Sequence, residues 1–457
     1  MYDVIIVGAG PAGIFTALEL VKKNHLKIII LEKGLDISKR VQLAQKKMFK
    51  KEPTAVVSGW GGAGAFSDGK LTLSTDIGGW LNEYIANKEL DDLIDYVDRI
   101  YLEYGAPKKK HGLDKSKIDS LAQKAQLADL SLIPSHIRHL GTDRCAQILK
   151  EMAKYLEDRV DIRTKTEVTE ILSNKGKVVG VKTRSGEEIK GNNVVVAPGR
   201  AGASWLLSEV RRLGLGVSNN AVDIGVRVEV PASVYDPFTS VLYEPKLVYY
   251  TRSFQDKIRT FCMNPYGEVT LEISEDLTTV NGHSYADKKT NNTNFALLVS
   301  TNFTEPFKEP IAYGKYIARL ANLLGDGIIV QRLEDLKAGR RSTGERIDRS
   351  AVKPTLTKAT PGDLSFVLPY RYISDILEML EALDKVAPGT NDRNTLLYGV
   401  EVKFYSARVK LTPSLQTHIK NLYTIGDGAG ITRGLVQSSA SGVVVARNIL
   451  KEKNCQE

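Results

Sequence analysis

The chain has 457 residues, 42% apolar and 26% charged, which fits two or three globular domains and excludes a disordered protein. Its formal charge of +9 is modest for this length; it permits attraction of anionic ligands without requiring it. Cys145, Cys262 and Cys455 never form a C-x-x-C pair, and no apolar run approaches the ~20 residues of a membrane span, so a soluble, cytoplasmic protein without disulfide, zinc site or dithiol pair is expected.

The N-terminal stretch DVIIVGAGPAGIFTALELVKKNHLKIIILEKG predicts a short buried strand, a glycine turn, a helix apolar at Ile14, Ala17, Leu18 and Val21, and a second strand ending at Glu32. Each glycine has a mechanical reason. Gly8 makes the tight turn, Gly10 lets backbone approach a pyrophosphate, and Gly13 allows close packing of helix on strand. The helix N-terminus adds free N–H donors, and Glu32 stands where a carboxylate can accept ribose hydroxyls. Strand, helix, second strand and terminal acid in this order indicate a bound dinucleotide.

VSGWGGAGAFSDGK, from Val57 to Lys70, contains a second G-x-G-x-x-G at Gly59, Gly61 and Gly64. The residues after Gly64 alternate like a strand, so no helix is predicted to start there. Glu83 lies in helical apolar spacing and not at the end of a strand. GWGGAG is therefore expected to be a loop, lying either against the cofactor of the first site or over the surface as a lid. Asp68, between Ser67 and Gly69, fits a ligand contact and an Asx-turn equally.

Residues 76–150 read as mostly helical. Their lysine run Lys108 to Lys110 suits a solvated face, and His136 and His139 have no metal partner at ligand spacing. From 151 to 215 a meander of short strands closes with Val194 to Ala197, running into the turn Pro198-Gly199-Arg200. Residues 216–414 carry alternating runs such as VDIGVRVEV and FALLVSTNF that predict an antiparallel sheet, interrupted by helices near Ala312–Leu324 and Ile373–Leu383. The chain closes with a buried strand at Leu422 to Ile425, the turn Gly426-Asp427-Gly428, and a helix from near Val436 bearing Ser438, Ser439, Ala440, Ser441 and Gly442. That aspartate can reach a cofactor hydroxyl, and the helix can aim its positive end at a site of developing negative charge.

The fingerprint with Glu32, VVVAPGRAG and TIGDGAG resembles the glutathione-reductase-type FAD domain. More narrowly, GWGGAGAFSDGKL, KAGRRSTGERI, LLYGVEVKFYSARVKL and GITRGLVQSSASG are similar to a bacterial family of FAD-dependent dehydrogenases, over nearly the whole chain. The fold class implied is α/β: a discontinuous Rossmann-like FAD-binding domain in three parts (1–75, 151–215, 415–457), a helical cap segment (76–150) and an inserted mixed β/α substrate domain (216–414). The resemblance implies one non-covalently bound FAD. Its candidate contacts are Gly8, Gly10, Pro11, Ala12 and Gly13, with Glu32 and Lys33 after the second strand. The second loop adds Gly61, Gly62, Ala63, Gly64, Ser67, Asp68, Gly69 and Lys70. Val168, Ala197, Pro198, Gly199, Gly426, Asp427, Gly428, Gly434, Val436, Gln437 and Ser438 complete the set. Where the family pattern has an arginine after G-V-E-x, this chain has Lys403, which lacks a guanidinium's two-pronged grip on carboxylates.

Flavin chemistry needs a substrate carbon near N5 and a group that handles a proton. The candidates are Lys70, Arg341, Glu401 and Lys403, with Arg340, Tyr405, Arg408 and Arg433 as further cations or acids near the same motifs. Glu401 and Lys403 fall on one face of a strand and fit an ion pair as well as an acid and an anchor. The leading expectation is a dehydrogenase or reductase of a small anionic organic substrate, with NAD(P)H as a transient donor and no nucleic-acid partner. A tRNA-modifying flavoprotein would want paired catalytic cysteines and a long basic extension after Leu450. A non-enzymatic binding protein on the same scaffold would want loss of acids such as Glu32 and Asp427.

Overall fold

The computed structural model describes residues 1–23, 25–46, 53–67, 69–218, 220–274, 277–284, 289–303, 307, 309–404 and 406–454. Two compact units divide the chain. The first comprises Met1–Lys110, Ile137–Asn220 and Ser406–Glu457; the second comprises His111–His136 and Ala221–Tyr405.

The first unit is built on a seven-stranded sheet. Its parallel part runs in the order Asp161–Arg163, Ile28–Leu31, Tyr2–Val7, Glu188–Val196, with Leu422–Thr424 also parallel to Glu188–Val196. Ile28 to Leu31 and Val4 to Val7 are buried throughout, as expected of strands covered on both faces. The meander Val168–Asn174, Lys177–Thr183, Glu188–Val196 continues the sheet antiparallel. The fingerprint helix Pro11–Leu20 is buried around its whole circumference, Thr16 and Glu19 included. The reason is the C-terminal helix Leu435–Asn454, which crosses so closely that a Cβ on Gly442 would lie 2.2 Å from the Ala12 carbonyl oxygen. The small residues of SSASG thus serve helix contact.

The second unit carries an eight-stranded sheet in the order Thr360–Pro361, Ile329–Arg332, Leu396–Lys403, Val222–Pro231, Asn292–Thr301, Lys257–Asn264, Lys246–Tyr250, Ser131–Ile133. Alternation along VDIGVRVEV decides its two faces. Ile224, Val226, Val228 and Val230 enter an apolar core with Phe295, Leu297, Val299 and the helix Tyr370–Val386. Asp223, Arg227 and Glu229 point the other way into ion pairs and hydrogen bonds.

Several expectations need correction. The segment 76–150 is not one helical cap: helices Asn87–Glu103 and Thr142–Glu157 belong to the first unit, while Lys115–Gln126 belongs to the second. Its packing partner explains this, since Ala125, Ala128 and Leu130 join the second unit's core. His136–His139 is a strand within the stretch expected to be mostly helical. Lys110 is drawn out of the solvated lysine run by the buried Asp98, at 3.0 Å. The second unit has the two expected helices, Pro310–Gly325 and Tyr370–Val386, and also Ala232–Thr239, Leu333–Lys337 and Gly344–Asp348. Helices of one or two turns give too few repeats for apolar spacing to be read. Cys455 lies outside the described residues; Cys145 is buried and Cys262 half-buried.

Candidate functional site

In the first unit the two glycine motifs form a single cradle. The Gly61 N–H donates to the Ala9 carbonyl at 2.7 Å, and a Cβ on Gly62 would meet Gly10 Cα at 3.3 Å. Glu32 sits at the centre of this arrangement, 5% exposed. Its Oε2 accepts the Ala9 N–H at 2.8 Å, and its Oε1 accepts those of Gly34 at 2.8 Å and Gly59 at 3.0 Å. Three backbone donors therefore occupy most of the roughly four lone-pair directions of the carboxylate, leaving about one for a ligand hydroxyl. Accepting both ribose hydroxyls, as its position in the sequence suggested, would require it to give up one of these bonds.

Contrary to expectation, the loop contains a turn of 3-10 helix, Gly62–Phe66, before the strand Lys70–Leu73. Gly61, at φ 86°, reverses the chain into it, a conformation in the left-handed region that favours glycine. Arg40 then holds it in place. Sequence reasoning passed over Arg40, although its spacing from Ile37, Val41 and Ala44 puts it on the apolar face of the helix Ile37–Gln45. The guanidinium is fully buried and donates to the carbonyls of Ala55 at 2.9 Å, Trp60 at 2.5 Å and Gly62 at 2.9 Å, with the Phe66 ring 4.9 Å away. Burial lowers its pKa to about 10.

The glycines separate by what surrounds them. A Cβ on Gly8 would lie 2.2 Å from the Ala197 carbonyl oxygen and one on Gly13 2.0 Å from that of Gly8, so both answer to packing within the protein. Among the described residues, no atom beyond Gly10's own neighbours along the chain lies within 4 Å of its Cβ position, and it starts a helix whose N-terminus has no side-chain cap and no acid in the first turn. Such uncapped N–H groups beside open space suit an anionic group. The turn Ala197-Pro198-Gly199 packs on Gly428, whose Cβ would lie 2.7 Å from the Gly199 carbonyl oxygen, which joins the two later turns to the fingerprint. Lys33, exposed, reaches the Ala201 carbonyl at 3.3 Å. Val168 starts its strand with its side chain in the core, two residues after Thr166, whose N–H donates to the Glu32 carbonyl at 2.9 Å.

At the flavin end, Asp427 accepts the Thr432 hydroxyl at 2.9 Å. Burial pushes its carboxyl above the ordinary range, against the opposing pull of Arg200, Thr432 and Arg433. The C-terminal helix starts at Leu435, just after Gly434. Val436 is core, and the Gly426 N–H donates to the Ser441 hydroxyl at 3.2 Å near Ser438. Gln437 is a correction: its amide donates to the carbonyls of Thr75 at 3.3 Å and Ile77 at 3.1 Å, so its side chain clamps the chain after the glycine loop and does not reach into the cradle. Ala63, Gly64, Ser67 and Gly69 follow the loop, with Ser67 donating to the Gly64 carbonyl at 2.9 Å. Gly64 and Gly69 lie against protein, with Leu435 Cδ2 at 2.5 Å and Cys145 Sγ at 2.3 Å from their Cβ positions. Asp68 lies outside the described residues.

The four catalytic candidates do not converge within one unit. Lys70 opens the strand Lys70–Leu73 of the first unit, while Arg341, Glu401 and Lys403 belong to the second. Arg341 is exposed beside Arg340, which pairs with Asp335 at 2.8 Å. Glu401 is fully buried and accepts Arg227 Nε at 2.7 Å and Nη2 at 2.8 Å; Lys403 lies 3.3 Å from Glu401 and 2.9 Å from Glu272. For Lys403, burial works to lower the pKa, but Glu401 and Glu272 outweigh it and hold the ammonium above its ordinary value. A lysine so held is no general base at neutral pH. Arg408 pairs with Glu83 and lies 5.0 Å from the Trp80 ring, and Tyr405 lies outside the described residues.

Residues 11–223 match the family model described as flavin containing amine oxidoreductase, and residues 221–404 match that described as FAD-dependent protein, C-terminal domain-like. An uncharacterized protein of Clostridium beijerinckii is 29% identical over 480 residues, covering 98% of this chain and 80% of its own length. Similar solved structures include a glycine oxidase from Bacillus cereus (TM-score 0.37, 14% identity, 99% of this chain and 96% of that one). They also include a formate oxidase variant from Aspergillus oryzae (TM-score 0.45, 13% identity, 100% and 99%) and GidA from Aquifex aeolicus (TM-score 0.38, 14% identity, 100% and 64%). The chain is an FAD-dependent oxidoreductase with a Rossmann-like FAD-binding fold, and its cofactor is FAD. Among the described residues no helix is long and apolar enough to cross a membrane, and no group of three or more His, Cys, Asp or Glu is placed to hold a metal ion.

Proposed function

We infer that the protein is a dehydrogenase or reductase that passes a hydride through flavin N5 to or from a small, anionic organic substrate. The observation that carries this reading is the sharing of one cradle by both glycine motifs, through Glu32 and the Gly61–Ala9 hydrogen bond. With both motifs spent on one dinucleotide, NAD(P)H serves as a transient donor and not as a resident cofactor.

FAD, when bound, supplies the hydride chemistry at N5. The chain's own residues bind and orient. The N–H groups after Gly10 would receive the pyrophosphate, Glu32 would take a ribose hydroxyl with its remaining lone pair, and Asp427 a ribityl hydroxyl. The C-terminal helix would present its positive end to the flavin held there. In this reading residues 221–405 are the substrate domain. Arg341, exposed, is its better candidate for an anionic group than Lys403, whose charge Glu272 and Glu401 already balance.

The test is the visible spectrum of the purified protein followed anaerobically as NADH and then NADPH are added. Bleaching of the flavin bands by either nucleotide is the expected result and makes the protein a pyridine-nucleotide-dependent reductase. Flavin that stays oxidised with both but bleaches with an organic acid makes it a dehydrogenase. Flavin that bleaches with neither nucleotide nor any organic acid would sink the reading.

A further inference from the structure

In the second unit, the stretch KAGRRSTGERI and the residues just before it gather guanidiniums around a single carboxylate, that of Asp335, which is fully buried. Arg340 Nε donates to its Oδ1 at 2.8 Å and the Ser342 hydroxyl to its Oδ2 at 2.8 Å. Arg346 Nη1 stands 3.9 Å from Oδ1 and Arg332 Nη1 4.0 Å from Oδ2, inside ion-pair range but beyond hydrogen-bond distance. One acid therefore serves three cations and bonds directly with one.

The neighbouring acids do not make up the difference. Glu334 takes Arg332, whose buried Nε still finds no acceptor. Glu345 and Asp348 pair with no cation among the described residues. Arg341 adds a fourth guanidinium, exposed and also without a partner among the described residues, and Arg346 Nη1 donates to its carbonyl at 2.9 Å. Arg332, Arg340, Arg341 and Arg346 against Glu334 and Asp335 leave an excess of two positive charges. Arg332 is buried, but the side chains of Arg340 and Arg346 are 48% and 31% exposed, so the excess opens to solvent.

That excess selects its ligand. A carboxylate carries one charge and is satisfied by one guanidinium fork. A phosphate monoester carries about two charges at neutral pH and offers three acceptor oxygens, enough for separate arginines. We propose that Arg340, Arg341 and Arg346 form a binding site for a phosphate monoester, carried either by the organic substrate or by NADPH as its 2′-phosphate. The part it plays in turnover rests on the oxidoreductase reading; the binding itself does not.

Calorimetric titration of the FAD-loaded full chain with inorganic phosphate, in a buffer free of other oxyanions, tests the site. One phosphate per chain is expected, with acetate bound at least about tenfold more weakly. Arg341→Gln and Arg346→Gln should each weaken phosphate about tenfold at unchanged melting temperature and flavin absorbance, whereas Arg349→Gln, at an exposed arginine nearby, should leave it intact. Absence of phosphate binding, acetate bound as tightly, or affinity indifferent to both Arg341→Gln and Arg346→Gln would each overturn the proposal. The same titration with 2′-AMP and glycerol 3-phosphate separates the two sources: tighter binding of the first assigns the site to NADPH, and tighter binding of the second to a phosphorylated substrate. If both bind more weakly than inorganic phosphate, the site does not recognise a monoester and the proposal falls. None of these readings needs turnover, so their failure leaves the oxidoreductase reading standing, and a flavin that no nucleotide or acid bleaches leaves the phosphate site standing.

Discussion

Glu32 Oε1 accepts the backbone N–H of Gly59 at 3.0 Å, so the acid that ends the fingerprint's second strand also anchors the second glycine loop. The same carboxylate holds Ala9 in the first loop at 2.8 Å. On the proposed role of Glu32, cofactor binding and the ordering of the loop are coupled through one side chain, and the following outcomes are expected.

Glu32→Ala leaves three backbone donors without their acceptor, at about 1 kcal/mol or more each, so the variant should lose about 3 kcal/mol of stability together with flavin. The ratio of flavin to protein absorbance and the urea midpoint measure both. Equal flavin occupancy in mutant and wild type would remove Glu32 from the site.

Gly10→Ala and Gly13→Ala should part company. A methyl group at Gly10 meets no atom of the described residues beyond its chain neighbours within 4 Å, so the apoprotein should keep its stability while FAD binds more weakly. At Gly13 the methyl would lie 2.0 Å from the Gly8 carbonyl oxygen, so the fold itself should be destabilised. Melting temperatures of the two apoproteins, and FAD titrations of the first, distinguish these. Unchanged FAD affinity in Gly10→Ala would mean that nothing approaches there.

Arg40→Met removes the donors to three loop carbonyls and should cost about 2–4 kcal/mol, with a drop in flavin content. Arg40→Lys should recover only part of this, because one ammonium cannot span carbonyls arranged around a planar fork. Full recovery by lysine, read from flavin content and thermal melts, would show that charge alone matters.

Glu401→Leu strands Arg227 in a dry interior and should destabilise by about 3–5 kcal/mol, whereas Arg227→Met with Glu401→Leu should regain most of that loss. Denaturant unfolding of the single and double variants measures the coupling. A stable Glu401→Leu protein that has lost only turnover would return Glu401 to the catalytic residues.

Asp375, buried on the helix Tyr370–Val386, has its carboxyl pushed up to about 6, by burial and then, against the pull of the Thr251 hydroxyl, by the charge of Asp256. The folded state thus keeps a proton that the unfolded chain releases near pH 4. Stability should fall as pH rises from about 4 to 6, by no more than about 3 kcal/mol, and then level off. Asp375→Asn should lack this slope in urea midpoints taken across the range. Parallel slopes in mutant and wild type would place the titration elsewhere.

The sequence by itself determined whatever depends on local period and turn chemistry. VIIV, from Val4 to Val7, and IIIL are apolar on every residue because both faces of their strands are covered, and GAGPAG makes a turn that opens a helix. VDIGVRVEV announces its two faces by alternation, and the closing TIGDGAG follows the same strand-turn logic. The tertiary structure alone decided which distant groups satisfy one another. Nothing local says that Gly59 will donate to an acid 27 residues earlier, that Arg40 will hold the carbonyl of Gly62, or that Glu401 will be neutralised by an arginine 174 residues away. Nor does the helix Lys115–Gln126 declare the core it joins. A local pattern records only whether a residue turns inward; which buried donor meets which acceptor depends on how distant segments pack, because every group taken out of water must find its partner there.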